Sequence, residues 1–184
     1  VNVLRRALLI GGASLAAGAR ARDAEVPTHI RNELPDARLA GHGAYRWLGM
    51  TIYDARLWVG ARRYRPDAPQ AAAFALDLRY ARSLAGKRIA AASNDELERL
   101  DAGTAQQRAG WLAAMEMLFP DVQQGTRLTG IYLPTRGARF YLNGRLLGDI
   151  PDPVFARAFF SIWLDPRTSA PDLRAALLRH AAPE

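Results

Sequence analysis

The dipeptide Asn143-Gly144 limits the possible folds of this chain more than any other feature of the sequence. It separates two short runs, ARFYLNG and RLLGDI, and both of its residues tolerate the positive φ that a two-residue hairpin turn demands. An antiparallel pair at this point needs further strands beside it, and the chain supplies them. TRLTGIYLP precedes the pair as another strand. RLAGHGAYRWLGMTIYDARLWVGA (38–61) reads as two more, punctuated by Leu48-Gly49. In the second of these, Ile52, Asp54, Arg56 and Trp58 alternate with Tyr53, Ala55, Leu57 and Val59. After a polar, proline-bearing loop (61–70), residues 71–82 set Phe74, Leu76, Leu78 and Tyr80 on one face.

Between and after the strands the period changes to that of helices. Residues 84–100 carry Ile89, Ala92 and Leu97 at helical spacing, with Ser93-Asn94-Asp95 marking a start or a kink. Thr104 and Gln107 stand at capping-box spacing, and Trp111, Met115 and Leu118 follow on one side until Pro120. Pro151-Asp152-Pro153 opens a third helix, whose Phe155, Phe159, Ile162 and Trp163 share a face. APDLRAALL forms the last, with Leu173 and Leu177 turned inward. The segment with Pro27 and Pro35 reads as a polar lead-in. Strands in two groups with helices between and after them predict an α+β fold, a largely antiparallel sheet covered on one side by helices.

A chain of 184 residues, 49% hydrophobic, suffices for one domain with a real core. It has no cysteine, which removes disulfides, thiol catalysis and cysteine-based zinc sites. Residues 1–24 read as an export signal: Arg5-Arg6, an apolar run from Ala7 to about Ala19, and the small-residue pattern Ala19-Arg20-Ala21. The expected mature domain is 25–184, placed in the periplasm with no stable membrane span, by the general or the twin-arginine route. Loss of 1–24, with four arginines and one aspartate, lowers the formal charge from +7 to +4. The remaining basic residues, nearly all arginine, are dispersed among acids, so no nucleic-acid surface is expected.

The three histidines, His29, His42 and His180, lie far apart, and no metal or cofactor is expected. The nucleophile-elbow, P-loop and dinucleotide motifs are absent. Single aromatics on apolar faces are read first as core, while Trp111, Met115 and Phe159 are also candidates for the wall of a cleft. Arg46 and Tyr53, on or beside half-buried strands, pair a guanidinium with a phenol and suit a carboxylate or enolate at a pocket end.

YRWLGMTIYDARLWVG, ELERL, MLFPDVQQGTRLTGIYLP, ARFYLNGRLLGDI and FARAFFSIWLDPRTSAPDLRAALL, taken in order, resemble the chalcone isomerase-like family in its exported bacterial branch. The resemblance covers about residues 38–180. It implies an open-faced β-sandwich with a ligand cleft between sheet and helices. The family holds plant isomerases and non-catalytic fatty-acid binders, and Tyr53 matches the tyrosine of the binders where the isomerases carry threonine. Arg46 follows GHGAY as the nearest counterpart of the shared arginine, one residue displaced. Asn94 is the nearest counterpart of the isomerases' helical polar residues, and their helix threonine falls near Ser161 or Ile162. The resemblance thus implies a small amphipathic or hydrophobic ligand, such as a fatty acid, bound through Arg46, Tyr53, Asn94 and Ser161. An isomerase acting on a chalcone-like or enone substrate is the alternative, and a structural module with a closed cleft is a third.

Overall fold

Alternation in the strands decides where the two sides of the sheet face. The computed structural model describes residues 25–181; the expected export signal lies outside them. The elements are α1 (Thr28–Glu33), β1 (Arg38–Trp47), β2 (Met50–Val59), β3 (Phe74–Tyr80), α2 (Gly86–Arg99), α3 (Ala105–Leu118), β4 (Arg127–Leu133), β5 (Gly137–Leu142), β6 (Arg145–Ile150), α4 (Pro153–Leu164) and α5 (Pro171–Leu177). All six strands pair antiparallel in chain order, β1-β2-β3-β4-β5-β6. Asn143 and Gly144 take φ of 49° and 82°, the conformation expected of them.

Tyr53, Ala55, Leu57, Val59, Phe74, Leu76, Leu78 and Tyr80 point to one face, where α2–α5 cover them. The capping box at α3 forms as expected: the Thr104 hydroxyl accepts from the Gln107 N–H, and the Gln107 side chain accepts from the Thr104 N–H. α2 runs unbroken through Ser93-Asn94-Asp95, because the Ser93 hydroxyl donates to the Ile89 carbonyl one turn back and so satisfies itself inside the helix. α5 lies so close to β1 that a Cβ at Gly41 would fall 2.1 Å from the Ala176 carbonyl oxygen, and only glycine permits that approach.

The polar lead-in is in part a helix. α1 escapes sequence reading because six residues cannot sustain a helix alone. Ile30 and Leu34, both buried, dock it on the opposite face of the sheet with Trp58, Ala75, Ile131 and Leu133, forming a second, smaller core. Beside this core the same face buries charge. Asp77 is 1% exposed; its Oδ1 accepts from the Thr129 hydroxyl at 2.9 Å, and its Oδ2 pairs with Arg127 Nη1 at 3.0 Å. An ionised carboxylate only accepts, so Thr129 spends its proton on Asp77, and the 3.0 Å contact to His29 is an Nε2–H donation to the hydroxyl oxygen. That fixes the His29 tautomer. Burial lowers the His29 pKa and Arg127 adds to this, against the opposing pull of Asp77.

Candidate functional site

On the helical face, the β1–β2 end of the sheet carries a cluster of phenols. Tyr45 and Tyr53 are cross-strand partners, and their rings stack with centroids 5.2 Å apart; Tyr80 meets Tyr53 edge-on at 5.8 Å. The Tyr53 hydroxyl accepts from Trp163 Nε1 at 2.9 Å. Burial drives the Tyr53 pKa far above its ordinary value, only partly offset by the indole, and burial raises Tyr80 likewise. Burial thus favours the neutral phenol at Tyr53 and Tyr80.

The structure does not assemble the residues expected to bind a headgroup here. Arg46 lies beyond a register shift, opposite Thr51, and is exposed. The residue facing Tyr53 across the strands is Tyr45, one position earlier. The shift is a local irregularity of the ladder, which strand alternation cannot foresee. Asn94 is half-buried on α2. Trp111, Met115 and Phe159 are core residues and stand apart from the cleft between the β2–β3 loop and α4. Trp111 Nε1 donates to Asp152 Oδ2 at 2.8 Å, while Asp152 Oδ1 caps α4 through the Val154 N–H, so this indole locks α3 to the start of α4. Phe159 sits among Phe119, Phe140, Phe155, Phe160 and Trp163, with ring centroids 5.3–6.1 Å away.

The open space lies at the other end of β3. A cleft of about 240 Å³ opens between the β2–β3 loop and α4, with Tyr64, Phe74, Tyr132, Phe160 and Leu164 as its apolar wall and Ser161 and Arg157 among its polar groups. Ser161 is the expected site residue that reaches it, although its hydroxyl donates to the Ala158 carbonyl at 2.6 Å. The rings form a continuous surface: Phe74 stacks on Tyr132 at 4.9 Å, and Tyr64 and Phe160 meet Phe74 edge-on. Burial pushes the Tyr64 phenol up to about 12, against the pull of Arg174. It raises Tyr132 too, with Arg157 acting the other way through its charge and a hydrogen bond. Arg157 is exposed and makes no salt bridge among the described residues. Asp165, the carboxylate of this wall, is engaged by the Arg167 guanidinium and N–H, which hold its pKa down.

Sequence reasoning missed Arg157 and Tyr132. The signal was there: Arg157 is the single charge in PVFARAFFSIWL, and Phe160 and Ser161 follow at i+3 and i+4, so all three border the same side. What pattern could not supply was Tyr132, 25 residues earlier and brought alongside by the sheet. The arrangement offers a cation and neutral phenols at the mouth of an aromatic slot, which suits an anion with an apolar tail. No group of His, Asp or Glu able to hold a metal occurs among the described residues, and none of their helices is long and apolar enough to cross a membrane.

A protein of Haemophilus influenzae described as uncharacterized is 30% identical over 138 residues, which make up 75% of this chain and 66% of that protein. The chain thus spans just under two thirds of its relative's length. Among solved structures, a fatty-acid binding protein of Arabidopsis thaliana superposes with a TM-score of 0.65 over 79% of this chain and 88% of its own, at 14% identity. That likeness shows a shared fold, the antiparallel sheet backed by helices. A family model described as chalcone isomerase-like matches residues 18–179. With that match across nearly the whole sheet and its helical layer, the chain belongs to the chalcone isomerase-like family.

Proposed function

We propose that this protein binds a small amphipathic ligand of the fatty-acid kind without converting it, with the anionic end at Arg157 and Tyr132 and the apolar end against Tyr64, Phe74 and Phe160. The observation that carries this reading is a guanidinium that makes no salt bridge among the described residues and lines the same aromatic cleft as a buried phenol. A carboxylate can take two parallel bonds from such a guanidinium, with no charge cost at the phenol. Membership of the family supports it, as does the shared fold with a protein described as fatty-acid binding. The cleft volume lies below the roughly 300–1,000 Å³ usual for drug-sized ligands. Short acids therefore fit it directly, and longer chains extend past its mouth. Isomerisation is the weaker reading, because burial raises the pKa of the tyrosines of both regions and the carboxylate of the cleft wall, Asp165, is engaged by Arg167.

Titration calorimetry with octanoate and laurate tests the proposal. Loss of a charge-assisted hydrogen bond of about 1.5–3 kcal/mol predicts roughly 10- to 100-fold weaker binding in Arg157→Gln. Tyr132→Phe should weaken binding less, and circular dichroism should show both variants folded. Wild type that binds neither acid, or binds them equally in all variants, defeats the reading; steady chalcone consumption followed by absorbance would put the isomerase first.

Export is part of the proposal. The basic, apolar and small-residue order of residues 1–24 supports it. The expected result is a periplasmic protein whose intact mass lacks about the first 24 residues, and a full-length mass in that fraction rejects it.

A further inference from the structure

The tight turn between β1 and β2 carries its apolar residues on the outside. Trp47 is 56% exposed, Leu48 76% and Met50 41%, while Trp58, Trp111 and Trp163 are all buried. The turn is also an unfavourable place for leucine. Leu48 and Gly49 take φ of 48° and 78°. Asparagine or glycine adopts this left-handed conformation readily, whereas a bulky side chain is an outlier there. A leucine that strains the backbone and then projects into water adds nothing to the isolated fold. It makes sense only if something else receives it.

The charges around the tip indicate what that is. β2 hands over to the end of β3 here: the Ala81 N–H donates to the Ile52 carbonyl at 2.9 Å, and Arg82 Nη1 reaches Met50 Sδ at 3.1 Å. Residues 44–53 and 79–88, the two stretches that meet, contain Arg46, Arg79, Arg82, Lys87 and Arg88 and no acidic residue. Arg46 and Arg82, directly beside the tip, lie in no salt bridge among the described residues. A protruding Trp-Leu-Gly-Met tip flanked by two arginines that lie in no salt bridge among the described residues matches a bilayer surface: tryptophan favours the headgroup level, aliphatic side chains the layer beneath, and arginines the anionic headgroups. We infer that the β1–β2 hairpin docks this protein on anionic lipid membranes, with Trp47, Leu48 and Met50 inserted and Arg46 and Arg82 at the headgroups. The surface lies at the opposite end of the sheet from the Arg157 cleft, so the inference stands whether or not the ligand reading holds.

Co-sedimentation with vesicles of phosphatidylcholine, with and without phosphatidylglycerol, tests it. Wild type, Trp47→Ser/Leu48→Asn and Arg46→Gln/Arg82→Gln are compared in the same chain, so that any contribution of residues 1–24 is common to all. Leu48→Asn suits the positive φ, so the apolar variant should stay folded. Wild type should sediment with the anionic vesicles, and the apolar double variant should partition at least tenfold less. The arginine double variant should lose the preference for anionic lipid. Since Trp47 is the exposed indole, wild-type emission should shift to the blue on anionic vesicles. Equal partition of all three proteins, or emission unchanged by vesicles, overturns the inference. So does a wild type that self-associates without lipid while the apolar variant is monomeric, which would make the tip a protein interface.

Discussion

Phe159→Ala lowers the stability of the protein by about 3–5 kcal/mol, read as a reduced midpoint in chemical denaturation. The size of the effect follows from the site. Phe159 is buried at the meeting point of five other rings drawn from α3's end, β5 and α4 itself. Removing it forfeits the burial of a large side chain. It also leaves a cavity that cannot collapse, because Phe140 is fixed on a strand and Phe155 and Trp163 on the same helix. Phe159→Leu fills part of the space and should cost less than half as much. An unchanged midpoint for the alanine variant would mean that the α4 stripe is not the core.

Arg127→Met costs a comparable amount, about 3–5 kcal/mol, for an electrostatic reason. Arg127 is partly exposed and loses little by itself. Its removal leaves the Asp77 carboxylate buried with the Thr129 hydroxyl as its one side-chain donor among the described residues. A buried charge without its partner costs far more than the pair is worth when intact. Asp77→Asn placed in the Arg127→Met background removes that charge and should recover at least half of the loss. A double variant no more stable than Arg127→Met would show that the arginine acts through packing of its stem.

The strands β2 and β3 were legible in the sequence because they alternate. Tyr53, Ala55, Leu57 and Val59 could occupy only one face, and Asn143-Gly144 could make only one kind of turn. The capping box of α3 was legible for a similar reason, since all its parts lie within four residues. The candidate site was much less so. The resemblance sets Arg46 beside Tyr53, one residue displaced; in the ladder Tyr45 is the residue opposite Tyr53, and the register shift after that pair carries Arg46 on to Thr51. The Arg157–Tyr132 pair joins a helix to a strand through tertiary packing, and no spacing within either segment reports it. α1 was missed on the same principle, since its helicity comes from docking on a surface built by three later strands.

The nearest-neighbour strand order has a kinetic consequence. β1 and β2 pair across a tight turn and β2 and β3 across the loop 60–73, while β4, β5 and β6 are joined by short turns. Only the seam between β3 and β4 spans a long excursion, residues 81–126, which includes α2 and α3. Two local three-stranded units can therefore form early, and joining them is the step that must bear the loop-closure entropy. Substitutions along the seam, at Leu76 or Gly130, should slow refolding as well as lower stability. Those near the Asn143-Gly144 turn act within one local unit, ahead of the step that limits the rate.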